Sequence, residues 1–380
     1  MADGTKIEWA ANADGSPGAS WNPIRARNRA DGRVGWFCVH ASGGCKLCYA
    51  ERINHRLGTG IDYAAQNEAQ VEVFLDEKAL LQPLRWKKPR TIFVCSMTDL
   101  FGAFVSDAVI DAVFAVMALC PQHTFIVLTK RSARMRDHMR TPNRKRTMAE
   151  MVMPISNMLA RAGGHEARVK LDHFSACFAG SAAFPNVWLG VSAEDQRTAD
   201  ERIPDLLATP AAVRHVSCEP LLEHIDLEVA WHGESALDSE CWGDCGWCAK
   251  GYPPLHNCQR GAGNSERIRS GLDWVIVGGE SGKDARPMHP DWATSLRDQC
   301  ATAGVPFFFK QWGAWAPRGC TPGLWLTTDG DVFGPCDSAD LRVGDGCVGM
   351  SRVGKATAGR LLDGRTHDER PMLAHQRTAA

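Results

Sequence analysis

The stretch Thr91-Ile92-Phe93-Val94-Cys95-Ser96-Met97-Thr98-Asp99 joins a continuous apolar run to a polar end. Such a run is typical of a strand that is buried on both faces, as in parallel sheets. Similar runs lie at residues 125–128, 187–191, 213–217, 274–277 and 306–309. Helix-like patterns lie between them, at residues 107–119, 199–207 and 292–303. This alternation indicates βαβ units, so we expect an α/β fold, a partial TIM-type (β/α)6 barrel of mainly parallel strands.

Polar or ionisable residues follow each apolar run. The first run leads into Ser96, Thr98 and Asp99, and the others lead into residues 129–130, 192–195, 218–220, 278–282 and 310–312. The carboxyl ends of parallel barrel strands converge on one mouth, so these residues together favour a shared site. At each single position the alternative stays open that the residue only ends a strand or caps a helix.

Composition limits the class of protein. The chain has 380 residues, of which 44% are hydrophobic, and a formal net charge of −1. No apolar run reaches the roughly 18 residues that would span a bilayer. The segment from Met1 to Trp9 lacks the apolar core of a secretory signal, so we expect a cytoplasmic protein of a bacterial or phage-infected cell. The balanced charge excludes a globally basic nucleic-acid coat protein, but not a local basic patch.

Two segments interrupt the alternation of strands and helices. Residues 234–267 are rich in Gly, Cys and Trp, which predicts a separately stapled insertion within a barrel of residues 1–317. Residues 318–380 are predicted to form a small C-terminal extension. It has a hairpin at residues 324–333, where Asp329-Gly330 is a turn signal, and a loose tail after Thr366.

The first cysteine cluster consists of Cys38, Cys45 and Cys48, within eleven residues. Three thiolates are one fewer than a closed structural zinc site needs, whereas a [4Fe–4S] cluster held by three thiolates keeps one iron open. A zinc site completed by His40 or by a distant residue is the alternative. The cluster follows residues 34–37, which are predicted to be a short first strand of the barrel.

The second cluster consists of Cys241, Cys245, Cys248 and Cys258. Four thiolates form the closed set that is usual for structural zinc. The first three also have the Cx3Cx2C spacing that is most typical of radical S-adenosylmethionine (SAM) enzymes, so this cluster competes for the catalytic role. Its place deep in the chain favours zinc, because the catalytic cluster of a barrel is expected after the first strand.

Several short motifs, spread over nearly the whole chain, are shared with one known family. They are Lys6-Ile7-Glu8-Trp9, Trp21-Asn22-Pro23, Gly44-Cys45-Lys46-Leu47-Cys48-Tyr49-Ala50-Glu51, Ser217-Cys218-Glu219-Pro220-Leu221, Val277-Gly278-Gly279-Glu280-Ser281-Gly282 and Phe309-Lys310-Gln311-Trp312-Gly313. The chain thereby resembles the phage gene product 37/68 family, a divergent branch of the radical SAM superfamily near the spore photoproduct lyase type. The resemblance implies a partial TIM barrel, a [4Fe–4S] cluster and S-adenosylmethionine, but no known substrate.

The implied chemistry assigns roles to the residues at the strand ends. The open iron would chelate the cofactor, and an electron from a donor protein would generate a 5′-deoxyadenosyl radical that abstracts hydrogen from the substrate. The candidate cofactor contacts are Ser96, Thr98, Asp99, Ser192, Gly278 and Gly279. The candidate catalytic residues are Lys130, Glu194, Glu219 and Glu280. The three glutamates would contact ribose or substrate, and Lys130 would hold a carboxylate or a phosphate. A structural ion pair at the barrel rim is the alternative for each of them.

Basic residues are concentrated in three segments. Residues 130–146 hold eight Lys and Arg against one acid, Asp137. Residues 25–33 add four Arg just before the first cysteine cluster, and residues 85–90 add Arg and Lys around Trp86. Such segments favour contacts with phosphates and bases. The predicted nucleic-acid contacts are Arg140, Arg144, Lys145 and Arg146. A solvated helix face is the alternative.

Three functions stay open at this stage. The first is a radical SAM enzyme that modifies or repairs a nucleic acid or nucleotide. The main alternative is a non-catalytic, zinc-stapled nucleic-acid-binding protein. A metal-dependent hydrolase is a weaker third, because the strand ends are short of His.

Overall fold

The computed structural model describes residues 4–5, 7–12, 14–161, 183–230, 235–237, 271–317, 323–334 and 346–371. The predicted zinc ligands Cys241, Cys245, Cys248 and Cys258 lie outside the described residues, as does most of the predicted insertion. Within the described ranges, no helix combines the length and the apolar character that crossing a membrane requires.

Strands and helices alternate along the chain. The strands are β1 (Ala19–Trp21), β2 (Ile24–Asn28), β3 (Val34–Gly35), β4 (Val71–Leu75), β5 (Thr91–Val94), β6 (Thr124–Thr129), β7 (Val187–Ser192), β8 (Val213–Cys218), β9 (Trp274–Gly278), β10 (Phe307–Gln311), β11 (Trp315–Pro317), β12 (Leu324–Leu326), β13 (Val332–Phe333) and β14 (Val348–Arg352). The helices are α1 (Tyr49–Leu57), α2 (Glu77–Leu80), α3 (Gln82–Arg85), α4 (Asp107–Ala118), α5 (Ser132–Arg140), α6 (Arg144–Glu150), α7 (Val152–Arg161), α8 (Gln196–Leu207), α9 (Pro290–Ala303) and α10 (Lys355–Ala358).

One sheet contains all six strands that the apolar runs predict. Its order is β1-β5-β6-β7-β8-β9-β10. The pairs β1/β5, β5/β6, β8/β9 and β9/β10 are parallel. Helices α4, α8 and α9 coincide with the predicted helical segments to within a few residues. The α/β class with a parallel sheet is therefore confirmed.

The first strand of this sheet is β1, and the prediction that residues 34–37 form it is wrong. Residues Val34 and Gly35 form β3, which pairs antiparallel with β2 in a separate sheet of order β3-β2-β4. The sequence Ala19-Ser20-Trp21 of β1 is too short and too mixed to produce the apolar run by which the other strands are recognised.

By packing, the chain divides into two compact units. Unit one contains residues 1–190 and 209–212, and unit two contains residues 191–208 and 213–380. In unit one, the buried Trp21 ring of β1 lies 5.7 Å from the Phe125 ring of β6, and its indole N–H donates to the Ala79 carbonyl. A second cluster of unit one packs Phe37 and Tyr63 around the antiparallel sheet and α1.

In unit two, α8 and α9 accompany strands β8 to β10. A further antiparallel sheet has the order β11-β14-β12-β13, in which β12 pairs antiparallel with β13 within residues 324–333. Residues 367–371, which the sequence left in a loose tail, lie along β10. Asp368 bridges Phe308, and the N–H of Phe309 donates to the carbonyl of His367 at 3.0 Å.

Candidate functional site

The predicted cluster ligands Cys38, Cys45 and Cys48 lie in one loop of unit one, which leads into α1. Cys45 ends a short 3-10 turn, and Cys48 immediately precedes the first residue of α1. The N–H of Ala41 donates to the Sγ of Cys45 at 3.4 Å. Along the chain the loop lies between β1 and β5, which are neighbours in the parallel sheet. The cluster therefore follows the first strand of the sheet, as the barrel prediction requires, although that strand is β1.

The three thiols do not form a group whose donor atoms all lie within 4.8 Å of one another. Among the described residues, the donor atoms of Glu51, His55 and Asp62 all lie within 4.8 Å of one another, and no group of three that contains a cysteine does. Zinc binds thiolate sulfur at about 2.3 Å, which places two tetrahedral sulfur ligands about 3.8 Å apart. In a [4Fe–4S] cluster each thiolate binds a different iron, so its ligands need not approach one another as closely as those of one ion.

Burial governs the protonation of these thiols. Burial raises the pKa of the Cys38 thiol to about 12, with Asp99 adding to the rise and Arg131 opposing it. Burial also raises the pKa of the Cys48 thiol. Because metals bind the thiolate, a metal group in this loop has to displace protons and supply the positive charge that stabilises the anions.

The segment after β5 holds the cysteine loop in place. The hydroxyl of Thr98 donates to the carbonyl of Phe37, the residue before Cys38, at 2.5 Å. The phenol of Tyr63 donates to the carbonyl of Met97 at 3.0 Å. Thr98, a predicted cofactor contact, is therefore a positioning residue for the loop in this structure.

Ser96 is held by two residues that the prediction left without a role. The amide of Asn22 donates to the Ser96 hydroxyl at 3.1 Å, and its oxygen accepts the N–H of Met97 at 3.0 Å. The Tyr49 phenol, one residue after Cys48, donates to the Ser96 carbonyl at 2.5 Å. The Trp21-Asn22-Pro23 motif was the available sequence signal for Asn22.

Asp99 connects the end of β6 to the same loop. Its carboxylate accepts the Thr129 hydroxyl at 2.6 Å and the N–H of Lys130 at 3.0 Å, and it pairs with Arg131 at 3.4 Å. Arg131 also donates to the carbonyl of Val39. These bonds occupy both oxygens of Asp99, which favours a structural role, and they bring Lys130 to the site through its backbone.

In unit two, Glu194 forms a buried ion pair. Its side chain is fully buried, and its Oε2 lies 3.1 Å from Nη1 of Arg202, which also donates to the carbonyl of Ser192 at 2.8 Å. Removing one partner of such a buried pair strongly destabilises the folded protein, because the other charge is left buried and unpaired. The arrangement favours the structural reading of Glu194, and it places the predicted cofactor contact Ser192 beside the pair.

A second polar cluster of unit two lies at the carboxyl ends of β8, β9 and β10. Nζ of Lys310 lies 2.7 Å from Oε1 of Glu219, with the two side chains 14% and 19% exposed. Nε2 of Gln311 lies 3.4 Å from the same oxygen and 3.0 Å from the Ser281 hydroxyl. Within the described residues, Oε1 of Gln311 is buried without a hydrogen-bond partner. This cluster brings together the Glu219 carboxylate, the Lys310 ammonium group and the Oε1 of Gln311. It lies at the edge of the sheet where ligands of parallel sheets bind.

Glu280 is engaged by one arginine. Nε of Arg286 donates to Oε2 at 2.9 Å, Nη2 donates to Oε1 at 2.7 Å, and the backbone N–H of Arg286 donates to Oε2 at 2.9 Å. Bidentate pairing of this kind fixes the carboxylate geometrically. Of the predicted carboxylates, Glu219 is therefore the one whose contacts best suit a substrate-facing role.

Gly278, the last residue of β9, and Gly279, the next residue, differ in the space around their Cα atoms. A Cβ at Gly279 would lie 2.0 Å from the carbonyl oxygen of Trp312, so close backbone packing requires this glycine. A Cβ at Gly278 would lie 3.3 Å from Cδ of Glu219, so Gly278 leaves space beside that carboxylate. The predicted cofactor-contact role of the pair stays a prediction, and packing already accounts for Gly279.

A comparison with known protein families gives one match. The family described as "Protein of unknown function (DUF5131)" matches residues 4–371. The chain belongs to this family. No curated protein and no solved structure matches the chain. The match includes the cysteine loop and the Glu219–Lys310 cluster alike.

The basic segment 130–146 is largely neutralised in this family member. At least five of its eight basic residues pair with acids: Arg131 with Asp99, Arg134 with Asp107, Arg136 with Asp137, Arg144 with Asp107 and Asp111, and Arg146 with Glu150. Arg140 is exposed and has no acid partner among the described residues. The predicted contacts Arg140, Arg144, Lys145 and Arg146 therefore differ in the charge that they can offer to a phosphate.

The other basic segments are engaged as well. Arg25 lies over the Trp36 ring at 4.4 Å, and Arg90 lies over the Trp86 ring at 4.8 Å. Arg27 pairs with Glu72 at 2.9 Å. These contacts favour a solvated or structural role for much of the positive charge in these segments.

Proposed function

We propose that this protein is a radical SAM enzyme whose Cys38, Cys45 and Cys48 bind a [4Fe–4S] cluster. The observation that carries the proposal is the placement of three cysteines in one loop between neighbouring parallel strands, where Cys48 acts on the pKa of Cys38 and Cys45 on that of Cys48. The motifs shared with the phage gene product 37/68 family support the same chemistry. The parallel seven-stranded sheet is compatible with the partial barrel that this family implies.

The chain's own residues orient the ligands. Thr98 fixes the backbone beside Cys38, the start of α1 fixes Cys48, and Arg131 brings positive charge toward the Cys38 thiolate. When bound, the cluster would supply the electron for reductive cleavage of S-adenosylmethionine, and the resulting radical would abstract hydrogen from the substrate.

For the substrate we propose a nucleic acid or a nucleotide. In unit two, the Glu219–Lys310 pair is proposed to handle a substrate group, since an acid and a base within hydrogen-bond reach can bind it and transfer a proton. An electron-donor protein is the implied partner. Cys241, Cys245, Cys248 and Cys258 are proposed to hold a structural zinc ion.

The test is anaerobic reconstitution with iron and sulfide, followed by dithionite and S-adenosylmethionine. We expect about four irons and four sulfides per chain, broad visible absorption and formation of 5′-deoxyadenosine. A variant with Cys38, Cys45 and Cys48 all changed to Ala should lose the iron and the cleavage, while one zinc per chain remains.

The matched control is Cys120→Ala, which removes a buried thiol of unit one far along the chain from the loop. It should keep the iron and the cleavage activity. Unchanged cleavage in the triple variant would refute the cluster assignment. Zinc alone in the parent protein, without 5′-deoxyadenosine, would favour a nucleic-acid-binding protein instead.

A further inference from the structure

Two side chains of opposite charge lie next to the cysteine loop, where two neighbouring strands end. Asp99 follows β5 and Arg131 follows β6, and these strands are parallel partners in the seven-stranded sheet. Oδ2 of Asp99 lies 3.4 Å from Nη1 of Arg131, and the two side chains are only 8% and 19% exposed. They therefore form a largely buried ion pair in unit one.

Arg131 reaches the cysteine loop through the carbonyl group of Val39. Its Nη2 donates a hydrogen bond to this oxygen. The thiol of Cys38 donates to the same oxygen, which lies 3.7 Å from Sγ. The guanidinium and the thiol therefore meet at one carbonyl group, and this places a positive charge close to the first of the predicted cluster ligands.

Asp99 is held mainly by neutral donors. Its Oδ1 accepts the hydroxyl of Thr129 at 2.6 Å and the N–H of Phe101 at 3.0 Å, and its Oδ2 accepts the N–H of Lys130 at 3.0 Å. These three bonds fix the carboxylate independently of the guanidinium. Either charge of the pair can therefore be replaced by an amide of similar shape while most of the hydrogen bonds remain.

The two charges act on Cys38 in opposite directions. Beside the effect of burial, the Asp99 carboxylate raises the pKa of the Cys38 thiol and the Arg131 guanidinium lowers it. An electron added to a group bound at this thiolate is subject to the same two charges: a nearby cation favours the reduced state and a nearby anion disfavours it. Since the pair is largely buried, salt and solvent screen these effects only weakly.

We propose that the Asp99–Arg131 pair sets the reduction potential of the [4Fe–4S] cluster at Cys38, Cys45 and Cys48, with Arg131 raising it and Asp99 lowering it. The inference rests on the proposed cluster and assigns the control of its potential to two residues that are not ligands. Both are positioning residues, which act through the Cys38 thiolate and the carbonyl group beside it. The potentials of iron–sulfur clusters depend on the net charge and the hydrogen bonds around them, so a buried pair at this place has a direct route to the potential.

The test is a redox titration of the anaerobically reconstituted full chain without S-adenosylmethionine. Dithionite supplies one electron per cluster, and the reduced cluster is measured by its electron paramagnetic resonance signal. Arg131→Gln should lower the equilibrium constant for one-electron reduction about tenfold, which is about 59 mV, and Asp99→Asn should raise it by a similar factor. Arg131→Lys keeps the charge and should restore most of the parent potential.

The matched control is Arg27→Gln, which also removes one arginine from an ion pair of unit one. Arg27 pairs with Glu72 at 2.9 Å, but both side chains are 47% exposed, so solvent screens the charge. This variant should change the equilibrium constant less than twofold. Iron per chain is measured for every variant, because a role limited to holding the loop would lower the iron content without moving the potential in opposite directions.

Shifts of the same sign in Arg131→Gln and Asp99→Asn, unchanged potentials in both, or an equal shift in Arg27→Gln would overturn the inference. If Arg131→Gln takes up no iron, Asp99→Asn alone decides, since only a rise in its potential agrees with the proposal. A parent protein that forms no iron–sulfur cluster refutes the proposed function and this inference together. A parent cluster whose potential does not respond to the pair refutes this inference alone.

Discussion

At the scale of single residues, His123 shows how burial ties stability to pH. Its side chain is almost completely buried beside the Trp86 and Phe125 rings, and its Nε2 lies 3.1 Å from the carbonyl oxygen of Pro83. Burial lowers the pKa of His123 below its usual 6.5, with Arg90 acting in the same direction and the Pro83 bond opposing them. The folded protein therefore favours the neutral ring.

We expect this histidine to make the protein less stable in mild acid. Since its pKa is lower in the folded than in the unfolded state, its contribution is complete above about pH 6.5 and is lost as the pH falls below that value. His123→Gln should reduce the drop in unfolding free energy between pH 7.5 and pH 5.5, measured by urea denaturation. His55→Gln, at an exposed position, is the control, and an unchanged drop in His123→Gln would contradict the expectation.

Sequence reasoning missed two kinds of pairing, one between residues far apart along the chain and one between near neighbours. Lys310 and Glu219 are 91 positions apart, and their contact depends on the neighbouring places of β8, β9 and β10 in the sheet. The sequence showed polar residues after each strand, which predicted Glu219 correctly as a strand-end residue. The sequence could not show that Arg202 forms an ion pair with Glu194 and Arg286 with Glu280, because ion pairing depends on how the side chains pack.

At the scale of elements, α1 is joined to the segment before the cysteine loop by Asn54. This amide is fully buried; its Oδ1 accepts the N–H groups of Trp36 at 2.9 Å and Thr59 at 3.1 Å, and its Nδ2 donates to the Thr59 hydroxyl at 2.7 Å. A Cβ at Gly58 would lie 2.1 Å from the Asn54 oxygen, so the turn after α1 passes close to this amide. One side chain thus holds helix, turn and loop together.

Removing this amide should loosen the whole element. Asn54→Leu leaves two buried backbone N–H groups without an acceptor and should lower the unfolding free energy by about 2–3 kcal/mol. Asn67→Leu, at a position whose amide makes exposed bonds, should change it by less than about 0.5 kcal/mol. Both values follow from urea denaturation monitored by circular dichroism. A similar loss in the two variants would show that Asn54 has no special role.

Elements differ in how far the sequence predicts them. Strands β5 to β10 were predicted because most of them are continuous apolar runs buried in the parallel sheet, as in the fully buried β7. Strand β1 has three residues and is defined by its pairing with β5. Strand β3 has two residues and pairs with β2, so its apolar character predicted a strand but not its sheet.

At the scale of the whole molecule, the two candidate sites belong to different units. The cysteine loop lies in unit one, and the Glu219–Lys310 cluster lies in unit two. A ligand that binds the folded state stabilises it by mass action, and local opening reports where that stabilisation acts. Loading of the proposed [4Fe–4S] cluster is therefore expected to protect the loop and the residues that pack on it, namely residues 36–63 and 95–99.

Removing the cluster should accordingly raise amide hydrogen exchange in residues 36–63 and 95–99, because these segments lose a cross-link among three positions of one loop. Segments of β8, β9 and β10, whose hydrogen bonds do not involve that loop, should change little. The measurement is anaerobic hydrogen–deuterium exchange of the reconstituted protein before and after iron chelation. The variant lacking Cys38, Cys45 and Cys48 should show no chelator-dependent difference. An equal rise in both units would mean that the metal group controls global unfolding, and no rise at all would mean that it does not cross-link this loop.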